Sequence, residues 1–479
     1  MNYKFIAHIL GCALELEAAC MLLPLICALC YGDSQSAFVF LICTAICAAA
    51  GAFPAAKCPK NKAIYSREGF AVVALCWIIM SIFGALPFII SGAIPNPLHA
   101  LFETASGLTT TGASILSDVE ALPKAILFWR SFTHWIGGTG VLVFLVAIVP
   151  LAGGSNMYLI KAESPGPAVN KLVPRVRATA KILYGIYLFM TILEIIFLLI
   201  GKMPLFDAIT ISVGTAGTGG FAILNSGLAD YSPYVQIVVT VFMIMFGIDF
   251  SLYYLILRRQ VKAAVSSVEL RVYLLVILAS ALTIAFNCRE YFSGMGEALR
   301  HSFFQVGSII TTTGYSTTDF DRWPELSKTI LIMLMFMGAC AGSTGGGIKV
   351  SRIIILLKSV AKEIMLAAHP KSTHKICMNG RPLEHETMRA VNVFMVSYLV
   401  IFAVSLLIIS VDNLDFTTNF TAVAATLNNI GPGLSKVGPT CNFSVYSPLS
   451  IFVLTLDMLI GRLEIFPMLI LFSPYTWKK

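Results

Sequence analysis

Four stretches of this chain combine threonine or asparagine with glycine so that backbone carbonyl oxygens could be turned towards a cation. Thr109-Thr110-Thr111-Gly112-Ala113-Ser114 recurs almost letter for letter as Thr311-Thr312-Thr313-Gly314-Tyr315-Ser316. Between and after these stand Ala216-Gly217-Thr218-Gly219-Gly220-Phe221 and Asn428-Asn429-Ile430-Gly431-Pro432-Gly433. Consecutive carbonyls face one way most easily where a glycine adopts a backbone conformation that is costly for other residues, and a row of such oxygens can replace a cation's hydration shell. The marked glycines Gly112, Gly219, Gly314 and Gly431 are separated by 107, 95 and 117 residues, the signature of one unit used four times. The expected cation-lining residues are Thr110, Thr111 and Gly112; Gly217, Thr218 and Gly219; Thr312, Thr313 and Gly314; and Asn429, Ile430 and Gly431. No ring of carboxylates occurs at these positions, which favours coordination by carbonyls over a charged ring.

The flanks show what must position these stretches. In the first unit an apolar segment at 69–92 precedes a shorter one at 98–108, then the glycine stretch at 109–114 and a second long apolar segment at 126–150. The long segments suffice to cross a hydrocarbon core of about 30 Å as helix, whereas the short one enters it without crossing. Leu101–Thr109, Ala208–Thr215, Ser302–Ile310 and Phe420–Leu427 read as half-helices whose C-termini, carrying roughly half a negative charge, favour a cation at their common focus. The irregular backbone that follows is tolerated at membrane depth only inside protein or beside a watery cavity. The expected fold is therefore an all-α polytopic membrane protein: four repeated helix–pore loop–helix units around a central pore, behind an N-terminal two-helix hairpin. Boundaries fall at 1–56 for the hairpin (apolar runs 5–30 and 36–55), then 57–160, 161–262, 263–362 and 363–479 for the units, the third with a broken second helix.

Composition agrees, since 57% hydrophobic and 12% charged residues in a chain of 479 exclude an ordinary soluble domain. Of 33 Lys and Arg, 24 lie in the termini and in the loops that open each unit, among them Lys57–Arg67, Lys161–Lys181, Arg258–Arg271 and Lys349–Arg389. The positive-inside rule makes those loops and both termini cytoplasmic. Loops after the glycine stretches carry Asp118, Glu120, Asp230, Asp319, Asp321 and Glu325 and are expected outside. No HExxH, GxSxG or pair of intramembrane aspartates supports an enzyme, and the twelve cysteines show no metal-ligand spacing with histidine.

Two features suggest a gate. The apolar run Ile330–Leu357 is interrupted by Gly342-Ser343-Thr344-Gly345-Gly346-Gly347, which a continuous helix disfavours. A phosphate-binding loop would need Lys-Ser/Thr directly after the last glycine, whereas here Ile348 precedes Lys349 and Val350 follows it. Arg462 lies inside the apolar span 449–471, where an arginine is costly unless it faces a cavity or a carboxylate, with Asp457 and Glu464 as candidate partners. The glycine loop, Lys349 and Arg462 are the expected gate residues.

The chain also resembles the Trk/Ktr/HKT superfamily of potassium-translocating proteins, and within it the bacterial TrkH/TrkG potassium uptake subunits. The resemblance rests on Ser106–Ser114, Trp129-Arg130-Ser131-Phe132 with Trp135-Ile136-Gly137-Gly138, Gly342–Lys349 and Gly461–Phe466. The leading hairpin points to TrkH/TrkG over KtrB, which is similar but lacks it. The resemblance implies potassium preference, because sodium-carrying plant relatives have serine where this chain has Gly112. It also implies a homodimer in the bacterial inner membrane, embedded in lipid, and a cytosolic TrkA-like nucleotide-binding partner, for which the basic loops Lys161–Lys181 and Lys349–Arg389 are candidate docking surfaces. Arg130 and Trp135 are expected to brace the filter. No cofactor is expected on this chain, potassium being the substrate. His134 and Asp249 depart from the family pattern, which has glutamine and asparagine there. The competing mechanism is alternating access, with potassium coupled to protons or sodium.

Overall fold

The computed structural model describes residues 2–57, 59, 66–148, 176–371 and 375–477. Helices Tyr3–Cys30 and Ser34–Ala56 form an antiparallel hairpin, each capped by a side chain: Asn2 accepts from the Phe5 amide at 3.3 Å and Asp33 from the Ser36 amide at 3.0 Å. Gly11 and Gly51 let the two backbones touch, and a Cβ at Gly11 would lie 2.8 Å from the Gly51 carbonyl oxygen. The hairpin docks on the first unit, where Phe40 meets Trp129 edge-on at 6.4 Å.

Each unit follows one order. The first has an outer helix Ser66–Gly84 continued by Leu86–Ile90, a short helix Pro97–Leu108, and an inner helix Lys124–Ile148. The second has Val176–Ile200, the short helix Leu205–Gly217, and Pro233–Phe246 with Phe250–Leu257; the third has Val268–Asn287, the short helix Met295–Ile310, and Glu325–Met337 with Val350–Ala368. The fourth has His385–Ile409, the short helix Phe416–Leu427, and Pro448–Arg462 with Phe466–Phe472. Six described helices are long and apolar enough to cross a membrane, or seven with the bent pair of the second unit counted as one span.

Outer helices turn apolar stripes outward, such as Phe189, Ile192, Ile196 and Ile200, or Leu275, Leu278, Leu282 and Phe286. The short helices are enclosed by protein and carry threonine and serine instead. Their threonine hydroxyls turn back onto the helix, as in Thr104 to the Ala100 carbonyl at 2.8 Å and Thr215 to the Ile211 carbonyl at 2.9 Å.

Two breaks were not foreseen from hydropathy. The second unit's inner helix turns by 89° between Phe246 and Phe250. Its second half starts afresh at Asp249, whose carboxylate accepts from the Ser251 amide at 2.8 Å. In the fourth unit the apolar span expected at 449–471 stops at Arg462 and resumes at Phe466, with Glu464 and Ile465 at positive φ. Both halves of each pair are apolar, so the average over a window does not register the corner.

Candidate functional site

The four short helices end in the same way. Thr110, Thr218, Thr312 and Asn429 stand in the left-handed region, at φ 56, 56, 60 and 56°. Their amides bond back to the carbonyls of Gly107, Thr215, Ile309 and Thr426 at 2.9–3.1 Å. The next amides, of Thr111, Gly219, Thr313 and Ile430, reach the carbonyls of Ser106, Gly214, Ser308 and Ala425 at 2.8–3.0 Å. This is a Schellman closure made four times. A β-branched residue in that conformation costs of order 1–3 kcal/mol, and the chain accepts it at three threonines. The first two amides of each loop are thus committed to the helix behind them. What those residues retain to offer is carbonyl oxygen.

Two residues further on, each loop has a glycine at positive φ: Gly112 at 79°, Gly220 at 71°, Gly314 at 84° and Gly431 at 101°. The second loop's register therefore differs from the sequence-based expectation. Gly220 occupies the position assigned to Gly219, Gly219 the position assigned to Thr218, and Gly217 closes the helix. Three glycines within four residues hid the register, although aligning Thr218 with Thr110 and Thr312 would have revealed it.

The four glycines close a circuit. A Cβ on Gly112 would strike the Gly219 carbonyl, one on Gly220 that of Thr313, one on Gly314 that of Ile430, and one on Gly431 that of Thr111. In each case the carbonyl belongs to the residue just before the glycine of the next loop, so units one to four meet in cyclic order. All four glycines line a single cavity of ≈ 180 Å³, together with Ser114, Arg130, Asn225 and Tyr315.

Arg130 braces the first two loops from behind. It is 3% exposed, its Nε bonds Glu103 at 2.6 Å, its Nη1 donates to the Ala222 carbonyl at 2.8 Å, and its guanidinium lies 3.6 Å from the Phe221 ring centre. Glu103 in turn accepts from the Ser114 hydroxyl at 3.0 Å and the Ile115 amide at 2.9 Å. Glu103 was overlooked in the sequence, although it is the one acid well inside a short helix. Removing one partner of such a buried pair leaves an uncompensated charge, so Arg130→Met is expected to destabilise by about 3–5 kcal/mol. Thermal unfolding in detergent measures it, and an unchanged midpoint would refute the bracing role. Trp135 stacks one layer further out, 5.6 Å from Phe132 and 5.5 Å from Tyr187.

His134 joins the first two units directly. Its Nδ1 lies 2.8 Å from the Gly107 carbonyl oxygen and its Nε2 accepts from the Phe221 amide at 3.2 Å, a pair that selects the neutral tautomer protonated at Nδ1. A side chain at Gly219 would collide with this ring, which explains a glycine there without positive φ.

The other glycine segment crosses the inner side of the ring. The Gly346 amide donates to Thr312 Oγ1 at 2.7 Å, and Gly346 abuts Asn428 and Asn429. Towards the second unit, the Phe250 amide donates to the Gly342 carbonyl and the Cys340 amide to the Gly247 carbonyl, both at 3.1 Å, while Asp249 stands beside Gly342. Lys349 Nζ donates to the Gly345 carbonyl. Arg462 bonds the Thr344 carbonyl at 2.8 Å and the Gly137 carbonyl of the first unit at 2.7 Å. The carboxylates expected to serve Arg462 are engaged elsewhere: Glu464 pairs with Arg352 at 2.5 Å and Asp457 accepts from Ser405 at 2.7 Å. Two backbone carbonyls, one in the broken glycine segment and one on the helix Lys124–Ile148, do what a carboxylate was expected to do.

Residues 36–479 match the TrkH family, described as cation transport proteins. The chain belongs to the TrkH family. Members of that family are transporters rather than enzymes. This TrkH-family chain is 37% identical to the Trk system potassium uptake protein TrkH of Salmonella typhimurium, with both sequences covered in full. It is 34% identical to the Trk system potassium uptake protein TrkG of Escherichia coli K12, over 100% of this chain and 99% of that one. The crystal structure of the potassium transporter TrkH from Vibrio parahaemolyticus superposes with a TM-score of 0.90 at 33% identity, covering 100% of both chains.

Outside the membrane-spanning helices, two carboxylates at the ends of the loop system are held below the usual carboxylate range. A hydrogen bond from Asn225 does this for Asp118, and one from Thr418 for Asp415, the cap of the fourth short helix. A depressed value keeps a group charged, so both stay anionic through mildly acidic pH.

Proposed function

We propose that this protein carries potassium inward across the bacterial cytoplasmic membrane, through the ring of four threonine–glycine loops and past a gate formed by Gly342–Gly347, Lys349 and Arg462. The observation that supports this best is the circuit of glycines and carbonyls, whose four glycines line one cavity. Potassium is the preferred ion on two grounds: the relatives are named as potassium uptake proteins, and every ring position that serine could occupy is glycine. The membrane potential supplies about 2.3 kcal/mol per charge per 100 mV, sufficient to drive uptake without chemistry in this chain.

The same reading places the basic loops and both termini in the cytoplasm. It includes a homodimer in lipid and a TrkA-like nucleotide-binding partner, a multi-component arrangement consistent with relatives named as parts of a Trk system. Of the two candidate docking loops, residues 161–175 and 372–374 lie outside the described residues.

The test is tracer flux into proteoliposomes of the purified chain, comparing potassium with sodium under an imposed voltage and no pH gradient. Potassium-selective flux is expected. Flux that begins only when a proton or sodium gradient is added would replace the pore with the coupled, alternating-access reading.

A further inference from the structure

Glu269, at the cytoplasmic start of the third outer helix, plays no part in the ring and carries none of the sequence motifs. One of its oxygens nevertheless bonds both flanks of the glycine segment. Oε1 accepts from the Ala341 amide at 2.7 Å and from the Ser351 amide at 3.1 Å. Ala341 lies immediately before Gly342, and Ser351 lies in the first turn of Val350–Ala368. We propose that Glu269 is a positioning residue for the gate, a strap that holds the glycine loop under the ring by fixing both of its ends to the third outer helix. This rests on the reading of that loop as a gate.

Three observations support the strap. A carboxylate is the strongest ordinary acceptor for a backbone amide, and here one oxygen serves two amides that are ten positions apart in sequence. The second amide belongs to a helix N-terminus, where a negative charge is favoured by the helix dipole. The helix that bears Glu269 is itself anchored, because Asn379, in the turn between the two-residue strands Cys377–Met378 and Arg381–Pro382, accepts from the Val268 amide at 2.9 Å. The loop cannot move away from Thr312 while both of its ends stay on Glu269, unless the outer helix moves with it. Opening therefore has to break the strap, and weakening the strap favours the open loop.

The experiment compares potassium flux per reconstituted protein for Glu269→Gln, Glu269→Asp, Arg462→Ala, a deletion of Ser343–Gly346, and Glu269→Gln within that deletion. Glutamine keeps the reach but loses the charge; aspartate keeps the charge but loses the reach. Each is expected to raise flux about three- to tenfold, because a charge-assisted bond is roughly twice as strong as a neutral one and a shortened side chain cannot serve both amides. A merely structural defect would lower flux instead. In the deletion, where no gate remains to strap, Glu269→Gln is expected to add nothing. If the deletion and Arg462→Ala raise flux while both Glu269 variants stay at or below the parent, the strap is wrong and the gate stands. If Glu269→Gln still raises flux in the deletion, Glu269 acts elsewhere and the strap is again wrong. If neither the deletion nor Arg462→Ala raises flux, the gate fails and takes the strap with it.

Discussion

Gly112→Ser is expected to lower potassium flux by about tenfold, equivalent to roughly 1.4 kcal/mol on the barrier, and to bring sodium flux close to what remains. Two effects combine. The backbone at Gly112 has φ 79°, a conformation costing of order 1–3 kcal/mol for a residue with a side chain, and a Cβ there meets the Gly219 carbonyl of the next loop. The ring must then open or shift by about an ångström, displacing the oxygens that would stand in for water around the ion. Gly32→Ala is the control for strain alone, since Gly32 has φ 70° with nothing within 4 Å of an added Cβ, and its flux should match the parent. The second loop gives an internal check. Gly219→Ala clashes with His134 and should recover in part when His134→Ala is added, whereas Gly220→Ala, strained and blocked by the Thr313 carbonyl, should not. Parallel flux assays with both ions decide the matter. An unchanged potassium-to-sodium ratio in well-expressed Gly112→Ser would mean that these carbonyls do not select.

What could be read in the chain beforehand was whatever depends on local pattern. The half-helices expected at Leu101–Thr109 and Phe420–Leu427 stand at Pro97–Leu108 and Phe416–Leu427, because an apolar run half the length of its neighbours, ending in threonine and glycine, has few places to go in a membrane. The register of the second loop was not legible from spacing, since Gly217, Gly219 and Gly220 serve three separate purposes: closing a helix, admitting His134, and turning the chain. Bends at Gly247–Asp249 and at Leu463–Ile465 were hidden because hydropathy does not sense direction. Partners across units were hidden for another reason. Which acceptor an arginine finds depends on packing between segments hundreds of residues apart, so Glu464 looked close to Arg462 in sequence and serves Arg352 in space. Asn429 is a similar case. Its letter breaks the threonine pattern, but its amide joins Thr111 Oγ1 at 3.0 Å to the Met458 carbonyl at 2.8 Å, coupling the first loop to the fourth inner helix.

That arrangement of cations and carbonyls bears on the second large effect. Deleting Ser343–Gly346, or replacing Arg462 by alanine, is expected to raise potassium flux by about tenfold or more. Arg462 holds the glycine loop through the Thr344 carbonyl and anchors it to the first unit through the Gly137 carbonyl, so one side chain ties two units across the inner face of the ring. Hydrogen bonds to a charged group contribute about 1.5–3 kcal/mol each where no water competes, and losing both shifts a closed loop substantially towards the open one. The guanidinium charge also raises the barrier for any cation passing close to it, and alanine removes that as well. Arg462→Lys separates the two contributions. A lysine keeps the charge but offers a compact ammonium in place of a planar fork, and it cannot bridge two carbonyls with the same geometry. Its flux should fall between the parent and Arg462→Ala if anchoring matters, and should stay at the parent level if charge alone closes the path. Single-vesicle flux or electrical recording at fixed voltage measures all three. Normal or reduced flux from both the deletion and Arg462→Ala, at normal expression, would show that the loop and the arginine support the fold without closing it.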